Sequence, residues 1–271
     1  MRLSIQEVLD YKNCPQLYKF KHVDFLPEKK ELSDYFRQVI RQTISYYYFC
    51  MIDKNERSLN NLFTKWEQLW FCEDIESNFK EEDIREKSNM AVTLLKNFYR
   101  YASNEKVTPI AVDFKYDAMF EGDTNLHIVG TIPLIKLLND KTRGRETNLV
   151  FFSYSPYMPD DFLGKIDLNT TVATYAFRKG FETKESNVIL CNIGKKQEVA
   201  LQKSGEDFVR ARKALFNIAT GIENRIFYPS DNRLNCGKCR FKIFCMNEKA
   251  MEDRYVVSKG LDNRKQCSRN S

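Results

Sequence analysis

Histidine is almost missing from this chain: His22 and His127 are the only two, too few for chemistry assembled from several imidazoles, and both read as surface or structural residues. Glycine and proline are sparse, at 10 and 7, which leaves little material for a low-complexity linker, and no internal repeat stands out. No apolar run is long enough to span a bilayer, and Met1-Arg2-Leu3 passes at once into polar residues without a signal-like core. The expectation is a cytoplasmic protein in a reducing compartment, with no membrane partner. Eight cysteines in that setting argue against a disulfide framework and for ligation or free thiols.

What is present fits a folded chain. Its 271 residues, 42% apolar and 30% charged, are enough for one substantial core with a small appended lobe. The net charge of +6 makes nucleic acid a reasonable partner.

Three of the thiols are grouped. Cys236-Gly237-Lys238-Cys239 and Cys245 give C-x2-C-x5-C near one end, and Cys14-Pro15 stands near the other. Soft metals and iron-sulfur clusters want thiolates held close together, and a distant fourth ligand would tie the first folded segment to the last. Cys50, Cys72, Cys191 and Cys267 are scattered and read as small apolar side chains or surface thiols.

Along the chain, Ser4 with Glu7 three residues later predicts a short capped helix that delivers the chain to Cys14. A helix follows from about Ser33 to Phe49, ending in Tyr46-Tyr47-Tyr48-Phe49, a run read as buried rather than base-stacking. Leu59, Leu62, Phe63, Trp66, Leu69 and Trp70 recur at threes and fours, and a further helix runs from about Asp83 to Ala102. From Val107 the period changes to that of strands: Ile110–Tyr116, Leu126–Ile132 with an apolar continuation over 134–138, and Leu149–Tyr154. A covering helix over Asp167–Phe177, strands over Asn187–Ile193 and Gln197–Gln202, and a helix over Gly205–Arg225 complete the pattern. This is a mixed α/β core whose central sheet is flanked by helices. The expected divisions are a cluster-closing segment 1–32, a helical lobe 33–105, an α/β core 106–228, a cysteine region 229–250 and a basic tail 251–271.

Leu3-Ser4 through Cys14-Pro15-Gln16-Leu17-Tyr18-Lys19-Phe20, and Gly221 through Phe227-Tyr228-Pro229 into the three cysteines, resemble the RecB-like branch of the PD-(D/E)XK nuclease superfamily that carries a four-iron cluster. That branch includes the CRISPR adaptation nuclease and the nuclease domains of helicase-nuclease repair complexes. The resemblance implies that Cys14, Cys236, Cys239 and Cys245 hold a [4Fe-4S] cluster joining the termini, with zinc as the alternative occupant. It also implies a catalytic set: a histidine on an early helix, Gly-x-x-Asp on one strand, Asp/Glu-x-Lys on the next, and Gln-x-x-x-Tyr on a helix. The carboxylates of such a set hold Mg²⁺ or Mn²⁺ beside a phosphodiester. In the matching places this chain has Arg41, Gly130-Thr131-Ile132-Pro133, Phe152-Ser153-Tyr154, and Thr171 with Tyr175. No catalytic residue is therefore favoured.

A competing register takes Gly164-Lys165-Ile166-Asp167 and Glu182-Thr183-Lys184 as the two motifs. Asp167 and Glu182 would then bind Mg²⁺ or Mn²⁺, and Lys184 would serve the attacking water. Isolated Asp113, Asp117 and Asp123 read as solvated strand or turn residues.

The expectation is a catalytically degenerate, nuclease-like iron-sulfur protein that binds DNA or acts as a scaffold, with a protein partner in a replication, repair, recombination or defence assembly. Phosphate contacts are assigned to Lys141, Arg143, Arg145, Lys165, Lys195 and Lys196. The alternatives are an active Mg- or Mn-dependent deoxyribonuclease, and a protein-interaction module without nucleic-acid binding.

Overall fold

A computed structural model describes residues 1–28, 30–71, 73–122, 125–140, 144–154, 161–230 and 233–246. The chain divides into two compact units, each built from two stretches: Met1–Gln6 with Lys30–Ala219, and Glu7–Lys29 with Thr220–Ser271. Among the described residues no helix is long and apolar enough to cross a membrane.

The chain begins with a strand too short to show a period, β1 (Arg2–Ser4), and α1 (Ile5–Asn13) follows it. The short α2 (Pro15–Tyr18) and a single π-helical turn over Lys19–Val23 come next. Three long helices, α3 (Leu32–Ile52), α4 (Leu59–Trp70) and α6 (Glu81–Asn104), enclose the one-turn α5 (Glu73–Glu76). Asp34 accepts the Glu31 amide at 2.9 Å and Ser58 accepts the Asn61 amide at 3.1 Å, which satisfies donors at the starts of α3 and α4 that have no partner within the helix. The apolar stripes of these helices bury Ile40, Trp70, Leu95 and Phe98 completely. In the aromatic run Tyr47 and Tyr48 are buried as expected, while Phe49 is 43% exposed.

The sheet runs β1-β3-β4-β5-β6 with β2 on the other side of β3, using β2 (Val107–Phe120), β3 (Leu126–Asp140), β4 (Gly144–Ser153), β5 (Asn187–Asn192) and β6 (Gln197–Leu201). Strands β2, β3 and β4 form an antiparallel meander. The crossover through α7 (Asp161–Ile166) and α8 (Leu168–Phe181) makes β5 parallel to β4. This is the mixed α/β sheet flanked by helices that the periodicity predicts. The helices of 33–104 share one apolar core with Leu134, Val150, Ile189 and Cys191 of the sheet, so they belong to the same unit as the strands.

The meander has a break that alternation alone does not show. Residues two apart on a strand share a face. Val112 nevertheless packs against the α3–α6 core, whereas Phe114 meets Phe181 of α8 with ring centres 5.2 Å apart, and Phe120 stacks on Tyr175 of α8 at 4.5 Å. Between them Asp113 holds φ at +49°, the left-handed conformation that a short polar side chain tolerates better than most. The neighbouring pairs Val112–Leu134 and Phe114–Ile132 put Pro133 opposite Asp113. Pro133 has no N–H to give to a ladder, so it fits a central strand only where the pairing is interrupted.

Below α8 lies a buried ionic layer. Arg178 forks onto Glu185 at 2.8 and 2.6 Å and also donates to the Lys203 carbonyl at 2.9 Å. The Lys203 ammonium, 2% exposed, donates to the Gly164 carbonyl at 2.9 Å. Burial pushes Lys203 down from 10.5 to about 8, against the pull of Asp167, Asp207 and Glu185 and with the help of Arg210. Above pH 8 the folded chain releases this proton while the unfolded chain still holds it, so Lys203's contribution to stability rises from pH 8 towards 10.5. Urea midpoints measured across that window should rise for the wild type relative to Lys203→Met, in which this contribution is missing.

Candidate functional site

The four sequence-predicted thiols all belong to the second unit. Cys14 precedes a proline, which disfavours helical backbone before it. Its φ of −164° and ψ of 111° are extended, so the thiol stands at the mouth of α2 with its sulfur open to long-range partners. One of these is the Ser230 amide, which donates to Cys14 Sγ at 3.3 Å. The Ser230 carbonyl in turn accepts the Cys236 thiol at 3.3 Å. One backbone residue thus brings together two sulfurs that are 222 positions apart in sequence.

Cys236 lies on α10 (Arg233–Gly237) and Cys245 on α11 (Lys242–Met246), after the long α9 (Gly205–Glu223) has returned the chain. Between them the Cys239 amide donates to the Cys236 carbonyl and the Lys242 amide to the Cys239 carbonyl, at 3.3 and 3.2 Å. Phe241, 1% exposed, pins this loop by packing on Phe20 with ring centres 5.8 Å apart. Cys14, Cys236 and Cys239 line a single cavity of about 310 Å³ with Asp10, Lys21 and Glu28. Burial pushes the Cys239 and Cys245 thiols up, and both also feel charge on Cys14 and Cys236. Among the described residues no three His, Cys, Asp or Glu side chains converge on a point that one metal ion could occupy.

Sequence reasoning missed the ionic frame around this cavity. Asp10, 5% exposed, meets His22 at 2.8 Å and Lys21 at 3.2 Å. Glu28 takes Arg240 at 2.7 Å and Lys21 at 3.7 Å. Glu28 sits in a charged run that reads as solvated, and its partner is more than 200 residues away, so no local signal marks the pair. Gly221 leaves room for Tyr11: a Cβ there would lie 2.2 Å from the Tyr11 hydroxyl oxygen, which donates to the Ile226 carbonyl at 2.8 Å. Gly221→Ala should cost about 1–3 kcal/mol by overpacking. Thermal melts should show the loss, with part recovered when Tyr11→Phe removes the nearest atom. Cys50 and Cys191 are buried as expected of small apolar side chains, and Cys72 and Cys267 lie outside the described residues.

In the first unit the positions at which the nuclease motifs are expected fall on adjacent strands of the sheet. The β3–β4 ladder stops at Leu134–Val150, with Pro133 one step past it on β3 and Phe152 and Tyr154 beyond Val150 on the other chain segment. Phe152 and Tyr154 both pack on the α3–α6 core. The Tyr154 hydroxyl donates to the Arg37 carbonyl of α3 at 3.1 Å, and its phenol is pushed up to about 12 by burial, against the charges of Arg37 and Arg41. This site carries a proline and two aromatics at its strand ends, with Arg37 and Arg41 of α3 acting on the Tyr154 phenol. Thr171 and Tyr175 do not complete it: Thr171 donates back to the Asp167 carbonyl at 2.6 Å, and Tyr175 to the Met119 carbonyl at 3.3 Å.

The competing register does not assemble. Asp167 caps the start of α8, accepting the Thr170 amide at 2.8 Å, while Glu182 is the residue that ends the same helix, at φ +49°. A helix rises roughly 1.5 Å per residue, so their backbones are about 22 Å apart, too far to share an ion. Lys184 is in the connection to β5 rather than on a strand.

Asp113 is a half-exposed strand residue whose Oδ1 is buried without a hydrogen-bond partner. Asp117 pairs with Arg2 at 3.2 Å and His127 at 2.9 Å, and Asp123 lies outside the described residues.

The residues assigned to phosphate do not form one patch. Arg145 is near the start of β4, and Lys195 and Lys196 lie beyond the end of β5, which is parallel to β4 with Ser153 beside Asn192. The two groups are separated by roughly 25 Å of strand. Lys141 and Arg143 lie outside the described residues, as does the Lys165 side chain.

No curated protein matches the chain. The solved structure of SSO0001 aligns at 13% identity with a TM-score of 0.35, over 64% of this chain and 79% of that one. The profile of one family covers residues 2–246, taking in the sheet, both sets of helices and the cysteine loop. The chain belongs to the PD-(D/E)XK nuclease superfamily.

Proposed function

We propose that this protein is a catalytically degenerate member of the RecB-like iron-sulfur branch of its superfamily. Cys14, Cys236, Cys239 and Cys245 would hold a [4Fe-4S] cluster in a structural role, and the chain would bind DNA as a non-cutting or scaffolding subunit of a nucleic-acid-processing assembly. The loss of cutting is supported by the pair of positions on β3 and at the end of β4: by the resemblance, Pro133 and Phe152 fall where two carboxylates would hold a divalent ion, and Tyr154 where a lysine would serve the water. One half-buried carboxylate, Asp113, does not replace two convergent ones.

The cluster reading is supported by the Ser230 bridge between Cys14 and Cys236 and by the mutual influence of all four thiols. Among the described residues no three donors meet at one point, and zinc stays the alternative occupant. Lys21 and Arg240 lie beside this cavity in ion pairs with Asp10 and Glu28. When bound, the cluster would supply four metal–thiolate links; the thiols themselves fix the two stretches of the second unit.

Anaerobic purification with iron and sulfide analysis tests the cofactor, and stoichiometric zinc without sulfide would replace this reading with the zinc one. Incubation with single- and double-stranded DNA in Mg²⁺ or Mn²⁺ tests the degeneracy. The expected outcome is intact DNA, and metal-dependent cutting by the purified protein would overturn it.

A further inference from the structure

Cations on three elements lie around Tyr154, at the end of β4. Arg37 and Arg41 are one turn apart on α3 and so share a face, and both act on the Tyr154 phenol. Phe36 touches Tyr154 with ring centres 6.5 Å apart, and the Lys87 ammonium lies 5.8 Å over the Phe36 ring. The turn after β5 reaches the same end of the sheet: the Ile193 amide donates to the Ser153 carbonyl at 2.9 Å, and a Cβ on Gly194 would lie 3.9 Å from the Tyr154 carbonyl oxygen. That turn carries Lys195 and Lys196, both exposed.

Arg37 is paired with Asp34. Arg41, Lys87, Lys195 and Lys196 have no carboxylate partner among the described residues. Glu198, the nearby acid on β6, accepts from Tyr101. Positive charge without a carboxylate partner among the described residues, at the carboxyl ends of two parallel strands, is a recognisable anion site.

We propose that this end of the sheet binds a DNA backbone phosphate directly, with Arg41, Lys195, Lys196 and Lys87 taking the place of the divalent ion and its carboxylates. An active nuclease reaches the phosphate through a metal held by acids; here the acids are replaced and the cations face the phosphate themselves. The proposal rests on the DNA-binding reading above and adds to it a location and independence from metal. Of the residues assigned from sequence it keeps Lys195 and Lys196, sets aside Arg145, and brings in Arg41 and Lys87.

Fluorescence anisotropy with a labelled single-stranded DNA oligonucleotide and its duplex, on the full chain with either EDTA or Mg²⁺, tests it. Wild-type affinity should be the same in both buffers. Arg41→Gln should weaken binding about tenfold, and Arg41→Gln with Lys195→Gln and Lys196→Gln should lower the salt slope by about 0.9 per cation removed. Arg85→Gln, on the exposed face of α6 where Arg85 pairs with Glu81 at 2.8 Å, should change neither, and thermal melts should show all variants folded. If the wild type binds no DNA, the general reading falls and this one with it. If it binds but needs Mg²⁺, or if the triple variant binds as the wild type does, only this proposal is overturned.

Discussion

Replacing Cys14 by serine should abolish the iron and sulfide content of the anaerobically purified protein and loosen the second unit, whereas Cys50→Ser should leave the iron in place. The two cysteines differ in setting rather than in chemistry. Cys50 is buried within α3 as a small apolar side chain, while Cys14 sits at an extended residue, held by the Ser230 amide beside Cys236. A cluster held as proposed would cross-link residues 14 and 236 and close a very long loop. By the chain-entropy reasoning used for disulfides, removing it costs on the order of 5 kcal/mol. Without it, the link between the two stretches rests on contacts such as Arg240 with Glu28 and Phe241 with Phe20. Limited proteolysis should therefore cut Cys14→Ser within 220–246 faster than the wild type, while the sheet unit stays intact. Full iron in Cys14→Ser, with unchanged proteolysis, would remove Cys14 from the ligand set.

Arg178→Ala should destabilise the sheet unit by about 3–5 kcal/mol, the usual cost of leaving one partner of a buried ion pair alone. The Glu185 side chain is 1% exposed and takes both guanidinium bonds, so water cannot replace the lost donors. Arg178 also donates to the Lys203 carbonyl, a bond that its removal breaks as well. The double variant Arg178→Met with Glu185→Leu should recover most of the loss, because it removes the charge along with its partner. Chemical denaturation of the single and double variants measures both; a single variant within 1 kcal/mol of the wild type, roughly the worth of an exposed pair, would show that the pair is not buried in solution.

The long amphipathic helices were legible because their burial follows a local period: Trp66 and Trp70, or Leu94, Leu95 and Phe98, mark their own inner face. What depends on distant pairing was not legible. β1 is three residues long and is a strand only because it lies beside His127–Val129 of β3. The change of face at Asp113 and Pro133 interrupts the alternation that sequence patterning relies on. Lys136, in a stretch that reads as apolar, is 3% exposed and is satisfied by Glu105 at 2.7 Å and Tyr101 at 3.0 Å, a partnership made across 31 and 35 positions.

The sites divide in the same way. The cysteine spacing stands out in the sequence by itself, and the structure brings Cys14, Cys236 and Cys239 to one cavity. Gly164-Lys165-Ile166-Asp167 imitated a motif locally, but its supposed partner Glu182 lies at the other end of α8. The proposed anion site draws on α3, α6 and the β5–β6 turn, and no stretch of sequence holds all of its cations.

The second unit's two stretches, Glu7–Lys29 and Thr220–Ser271, bear on the order of events at the ribosome. The first stretch emerges early and then waits while the whole sheet unit is translated, roughly 10–40 s at about 5–20 residues per second. Throughout that interval the Cys14 sulfur is without Cys236, Cys239 and Cys245, which are still to be translated. If the four thiols hold iron as proposed, its insertion would be post-translational or coincide with release, and a cell short of iron would accumulate chains whose sheet is finished and whose thiol unit is still open.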